Sequence, residues 1–169
     1  VYRALARHFG DFDEELPGPH RSLKGQEQLK AVALVDQSPL GRTSRGNPAT
    51  YTKAWDAIRA LYGKEPTAAA RGLTASSFSF NVEGGRCDAC SGEGFETVEM
   101  QFLADVRLVC PVCQGLRFKP EVLAIQRQGV SIADVLEMTV ERALGTFQAE
   151  APIQLALGPL ALLGLGYLR

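Results

Sequence analysis

The 169-residue sequence contains no Gly-x4-Gly-Lys-Ser/Thr stretch. That loop normally supplies the backbone amides and the lysine that cradle nucleotide phosphates, so these residues alone are not expected to hydrolyse ATP. A charge excess is also missing. A formal net charge of −1 leaves no global footprint of nucleic-acid binding, and any such binding must be local. No stretch reads as a secretory leader. The one long apolar run, 151–168, is interrupted by Pro152, Gln154, Gly158 and Pro159 and has no basic flank before it. It is read as a core helix or a buried partner face, and a membrane span is set aside. Histidine is limited to His8 and His20, both read as surface or core residues and not as metal ligands. What is present is an ordinary apolar content of 46%, in a chain sized for about one domain or a domain with a small insertion. The opening Val1, already in a helix-like stretch, suggests a piece of something longer.

Cysteine is scarce but patterned. The four cysteines form Cys87-Asp-Ala-Cys90 and Cys110-Pro-Val-Cys113, with 19 residues, 91–109, between the pairs. Each Cys-x2-Cys step presents two thiolates from one tight turn, and the gap falls inside the window of about 15 to 20 residues that joins two such knuckles at one zinc ion. Disulfides belong mainly to small secreted chains, and this chain has enough length and enough charged residues, 22%, for an ordinary core. Zinc held by Cys87, Cys90, Cys110 and Cys113 is therefore expected, in preference to disulfides or a redox pair. Four thiolates leave no open coordination position, so the role of the metal is structural. The string Cys-x2-Cys-x-Gly occurs at 87–92 and again at 110–115. Gly92, Gly94 and Gly115 would let backbone N–H groups turn toward the sulfurs.

Hydropathy patterning supplies the other elements. Leu5 and Phe9 stand one helical turn apart in an opening helix that Gly10 ends. Residues 29–36 form an apolar run suited to a buried strand, which feeds a Pro- and Gly-rich loop over 37–48. Such a loop is either a ligand-binding segment or a solvated connection. From Thr50 or Thr52 a helix is expected, with Trp55, Ile58, Leu61 and Tyr62 as its buried stripe and Gly63 as its stop. Residues 75–82 and 122–126 read as strands, 98–109 as a hairpin that returns Cys110 beside Cys90, and Gln128-Gly129 as a turn. Ser131 with Asp134, and Thr139, are expected helix caps. Between Leu40 and Gly72, six basic residues face two acidic ones. This local excess either meets phosphates or decorates a solvent face.

Several strings resemble the UvrA family, the damage-recognition ATPases of bacterial nucleotide excision repair. They are 35–43 (VDQSPLGRT), 47–52 (NPATYT), 79–82 (SFNV) with 84–87 (GGRC), 102–106 (FLADV), the second knuckle with Gly115, and 131–136 (SIADVL). The match covers 29–147, returns at 164–167, and is most similar to the second, C-terminal ATPase half of that family. The resemblance implies a Q-loop with Gln37 sensing nucleotide and magnesium. It makes Arg42, Arg45, Arg71 and Arg86 candidate contacts to the phosphates of double-stranded DNA. Ser77 and Leu116 stand where the family commonly carries basic residues.

The resemblance further implies zinc in this segment, ATP and magnesium in the complete protein, a UvrB-like partner subunit, homodimerisation of the full-length protein, contact with the remaining ATPase segments, no membrane, and a cytoplasmic setting. The chain would end just before the family's Leu-Ser-Gly-Gly signature. The expected fold is of mixed α+β or α/β class: a partial ABC-type ATPase segment with an inserted zinc-stapled β-hairpin and flanking helices. Residues 1–50 would belong to the nucleotide-binding domain. Residues 51–150 would form the signature-domain region, with the zinc module at about 79–127, and 151–169 an apolar helical segment. A different resemblance, of Cys87 to Gly94 to the cysteine-rich region of DnaJ-type chaperones, keeps open a zinc-stapled protein-interaction module. Those chaperones repeat the motif four times, whereas the second copy here is altered and ends in Arg117.

Overall fold

The structure is a computed structural model that describes residues 1–12, 15–35 and 45–169. Gln37 and Arg42, and Asp36 at the end of the expected strand, lie outside the described residues. The chain divides into two compact units, Val1–Pro39 and Leu40–Arg169.

In the first unit, helix α1 (Tyr2–His8) buries Ala6 and pairs Arg3 with Glu15. Residues 29–35 form no strand: Leu34 and Val35 are exposed, and a single 3-10 turn, Gln26–Gln28, precedes them. An apolar run becomes a strand only when a neighbour takes its backbone hydrogen bonds, and no described segment pairs with this one.

The second unit is built on α2 (Pro48–Tyr51) and α3 (Ala54–Gly63). The sequence places one helix here, but Lys53 takes a left-handed conformation and divides it in two. The first half is capped by Asn47, whose side chain accepts from the Thr50 N–H while the Thr50 hydroxyl takes the Asn47 N–H. Trp55, Ile58 and Tyr62 of α3 are buried as expected, with Leu61 partly so. After α4 (Pro66–Ala70), residues 75–78 form a 3-10 turn and not a strand. Ser77 and Thr74 satisfy each other's backbone locally, a competition with ladder pairing to which serine and threonine are prone. The alternation of Phe78 and Phe80 still serves burial: Phe78 packs on Tyr62 and Phe80 on Trp55.

Strands β1 (Phe95–Val98) and β2 (Val106–Val109) pair antiparallel, with Phe95 opposite Val109 and Val98 opposite Val106; the return strand is as expected, but the outgoing strand ends at Val98, where the expected hairpin over 98–109 would have begun. In the expected strand at 122–126, Val122 and Leu123 end helix α5 (Pro120–Leu123) and only Gln126 lies in a strand. Pro120 starts that helix, and Val122 and Ile125 are both buried at helical spacing that an apolar run does not distinguish from a strand. A short ladder of β3 (Gln126–Arg127) and β4 (Val130–Ser131) turns at Gln128-Gly129. Helices α6 (Ile132–Leu136), α7 (Val140–Thr146) and α8 (Ala151–Leu162) complete the unit, with Ser131 and Thr139 as caps. Ile153 and Leu157 of α8 enter the core, while Leu155 and Leu162 face outward. Among the described residues no helix is long and apolar enough to cross a membrane.

Candidate metal centre

Each knuckle is shaped by its own backbone before any metal is considered. After Cys90, residues Ser91, Gly92 and Gly94 take positive φ values of 50°, 83° and 82°; after Cys113, residues Gln114, Gly115 and Arg117 take 51°, 87° and 68°. The two knuckles are thus near copies in conformation, and Arg117 adopts the left-handed place that Gly94 fills in the first. They also exchange hydrogen bonds in the same pattern. The Cys87 N–H donates to the Arg117 carbonyl at 2.8 Å, and the Cys110 N–H donates to the Gly94 carbonyl at 3.0 Å. This reciprocity brings together two segments separated by the whole hairpin. A second link, the bridge between Arg86 and Phe118, ties the entry of the first knuckle to the exit of the second.

All four cysteines are buried, and their sulfurs lie within 4.8 Å of one another. Cys90 Sγ and Cys113 Sγ are 3.6 Å apart. A tetrahedral ion with metal–sulfur bonds of about 2.3 Å needs sulfur–sulfur separations of roughly 3.8 Å, so the donor set fits a metal ion. Neither histidine is part of the cluster. The electrostatics agree with that fit. Burial raises the Cys90 thiol, against the Gly94 N–H that reaches its sulfur at 3.2 Å. Burial pushes Cys113 up to about 12, against a hydrogen bond from the Arg117 N–H. Cys110 is lowered, chiefly by the Cys113 N–H. Four buried sulfurs are held together at a separation where a divalent cation would offset part of the charge of their thiolates.

Of the arginines singled out by sequence, Arg45 and Arg86 are engaged in holding this module. Arg45 donates from Nε to Glu93 at 2.6 Å and from a terminal nitrogen to the Ser91 carbonyl at 3.0 Å, so it anchors the first knuckle to the segment before α2. Arg86 bonds the Asn81 carbonyl at 3.2 Å and pairs with Glu83. Arg71 is exposed, with one contact to the Glu121 carbonyl at 3.3 Å. Three partners escaped the sequence reading. Lys119 pairs with Asp88 at 2.8 Å across the two knuckles, Glu93 receives Arg45, and Arg117 lies over the Phe80 ring at 5.6 Å. Only the positive-φ repeat at Arg117 had a sequence signal, in the altered second copy of the glycine motif.

Fold and site together define a mixed helical and antiparallel-hairpin protein with a four-cysteine knuckle pair at the hairpin's base. By sequence the chain is similar over all its residues to UvrA proteins. It is 50% identical over all 169 residues to UvrABC system protein A of Thermus thermophilus, of which it covers 18%, and 47% identical over the same length to that of Micrococcus luteus, of which it covers 17%. The chain thus spans less than a fifth of the length of the curated relatives it matches. The crystal structure of UvrA2 from Deinococcus radiodurans matches 80% of the chain at 50% identity, with a TM-score of 0.76 and 17% of that structure covered. No family model matches the chain.

Proposed function

We propose that the chain is the zinc-bearing segment of a UvrA-type damage-recognition ATPase in nucleotide excision repair. The observation that carries this reading is whole-length identity to proteins named UvrABC system protein A, joined to a buried four-cysteine cluster whose spacing suits zinc. In this reading 1–50 belongs to the nucleotide-binding domain, 51–150 to the signature-domain region with its zinc module, and 151–169 to an apolar helical segment, all within the C-terminal ATPase half. ATP and magnesium would bind the complete protein, with Gln37 as nucleotide sensor. The parent would dimerise, engage a UvrB-like subunit and act in the cytoplasm. Zinc supplies no hydrolytic chemistry with four thiolate ligands; it fixes the knuckle pair as a rigid platform.

Duplex DNA would be held by its phosphates, through Arg42, Arg45, Arg71 and Arg86. Such contacts give position without sequence reading, which suits a protein that inspects any sequence. Arg71 is the first to test, since Arg45 and Arg86 also hold the module's shape. Zinc-loaded protein should carry one zinc ion per chain and bind duplex DNA with an affinity that falls as salt rises. Arg71→Ala should reduce the slope of log affinity against log salt by about one. Binding that is absent, or insensitive to salt, in both this chain and its full-length parent would overturn the DNA reading.

A further inference from the structure

The hairpin that rises from the metal centre exposes more apolar surface than a solvated ribbon needs. Phe102 is 95% exposed, Leu103 71%, Val109 67% and Leu108 53%, with Val98, Met100 and Val106 each at 40% or more. The register sorts these into faces. Val98 stands opposite Val106 and Leu108 opposite Glu96 on one side; Phe95, Thr97, Arg107 and Val109 occupy the other. The second side is partly closed, because Arg107 lies over the Phe95 ring at 4.7 Å. On the first side Val98, Val106 and Leu108 are 43%, 42% and 53% exposed, and among the described residues no ring or cation is recorded over them. Among the described residues the sheet has two strands, so each keeps an outer edge with no strand partner there.

Charge decides the occupant. Between Phe95 and Val109 the acidic residues are Glu96, Glu99 and Asp105, and the single basic residue is Arg107, already placed on Phe95. An acidic rim repels DNA phosphates, and it repels the same rim on a second copy of the chain. We infer that the Val98–Val106–Leu108 face of the hairpin is a docking surface for a polypeptide segment whose apolar side chains are flanked by lysine or arginine. None of Arg45, Arg71 and Arg86 lies in the hairpin strands, so this inference can fail while the DNA reading stands.

The test is amide NMR on the zinc-loaded chain, titrated in turn with a short peptide of alternating leucine and lysine and with duplex DNA. The peptide should shift the amides of Val98, Val106 and Leu108, and duplex DNA should leave them in place. Val98→Thr with Val106→Thr should weaken the peptide at least tenfold at unchanged zinc content. Glu96→Lys with Glu99→Lys, which keeps every apolar side chain, should weaken it as well. The inference is overturned if DNA moves the hairpin amides, if the peptide perturbs only other surfaces, or if the same shifts develop with protein concentration alone.

Discussion

At the scale of single residues, the four-cysteine cluster depends on side chains outside it. A Cβ at Gly92 would lie 2.2 Å from the Phe80 carbonyl oxygen, and the residue's φ of 83° disfavours any L side chain. Gly92→Ala must therefore push the first knuckle away from Phe80, which lies at the centre of an aromatic group with Trp55 and Phe118. We expect a loss of about 2 to 4 kcal/mol of stability by urea unfolding, with weaker zinc retention in a chelator competition. Arg45 acts from the other side of the same knuckle. Its ion pair with Glu93 is only a quarter exposed on either partner, so it is screened less than a surface pair. Arg45→Ala should cost about 1 to 2 kcal/mol. A double-mutant cycle with Glu93→Ala should return a coupling energy clearly above zero, whereas additive losses would show that the pair does not anchor the knuckle.

At the scale of elements, the sequence was most legible where a residue type has one geometric use. The caps at Ser131 and Thr139 and the turn at Gln128-Gly129 are where the pattern placed them, because each follows from hydrogen bonds within a few residues; of the hairpin the pattern placed the return strand 106–109 but not the outgoing one, which runs over 95–98. The strands expected at 29–36, 75–82 and 122–126 rested on apolar spacing alone. Spacing reports that Phe78, Phe80, Val122 and Ile125 are buried, which they are, but not whether a ladder partner exists. The metal site was legible as a ligand set, and its supports were not: Glu93, Lys119 and Phe80 meet the knuckles only through the fold. The capping box of α6 gives a pH test. Hydrogen bonds from the Ser131 hydroxyl and backbone N–H hold the Asp134 carboxyl below its usual range. A depressed folded value means that its contribution is full above the unfolded value of about 3.9 and is lost as pH falls through the folded one. Asp134→Asn should cost about 1 kcal/mol at neutral pH and flatten the acid limb of the stability curve. An acid limb that keeps its wild-type slope in the variant would place the titration elsewhere.

At the scale of the molecule, the knuckle pair and the helical body share one wall. Phe118 leaves the second knuckle and packs on Phe80, which leaves the 3-10 turn before the first knuckle and packs on Trp55 of α3. The far side of the body is fastened independently. Arg127 bridges Glu65 and Glu150 at 2.6 and 2.8 Å, the Tyr62 hydroxyl donates to the Val130 carbonyl at 2.9 Å, and Leu168 and Gly166 accept from the first turn of α7. Metal removal should therefore propagate by distance from the cluster and not abolish the fold at once. Apparent zinc binding in small modules is worth about 10 to 16 kcal/mol, more than a hairpin with an exposed apolar face can replace. A chelator should accordingly abolish amide protection across 85–119. Protection should fall by a smaller factor in α3, through the loss of Phe118 and Phe80 packing, and should change least in α6 and α7. Uniform loss of protection throughout 45–169 would mean that the cluster is integral to the whole core, and unchanged protection at 85–119 would mean that the cysteines hold their positions without a metal.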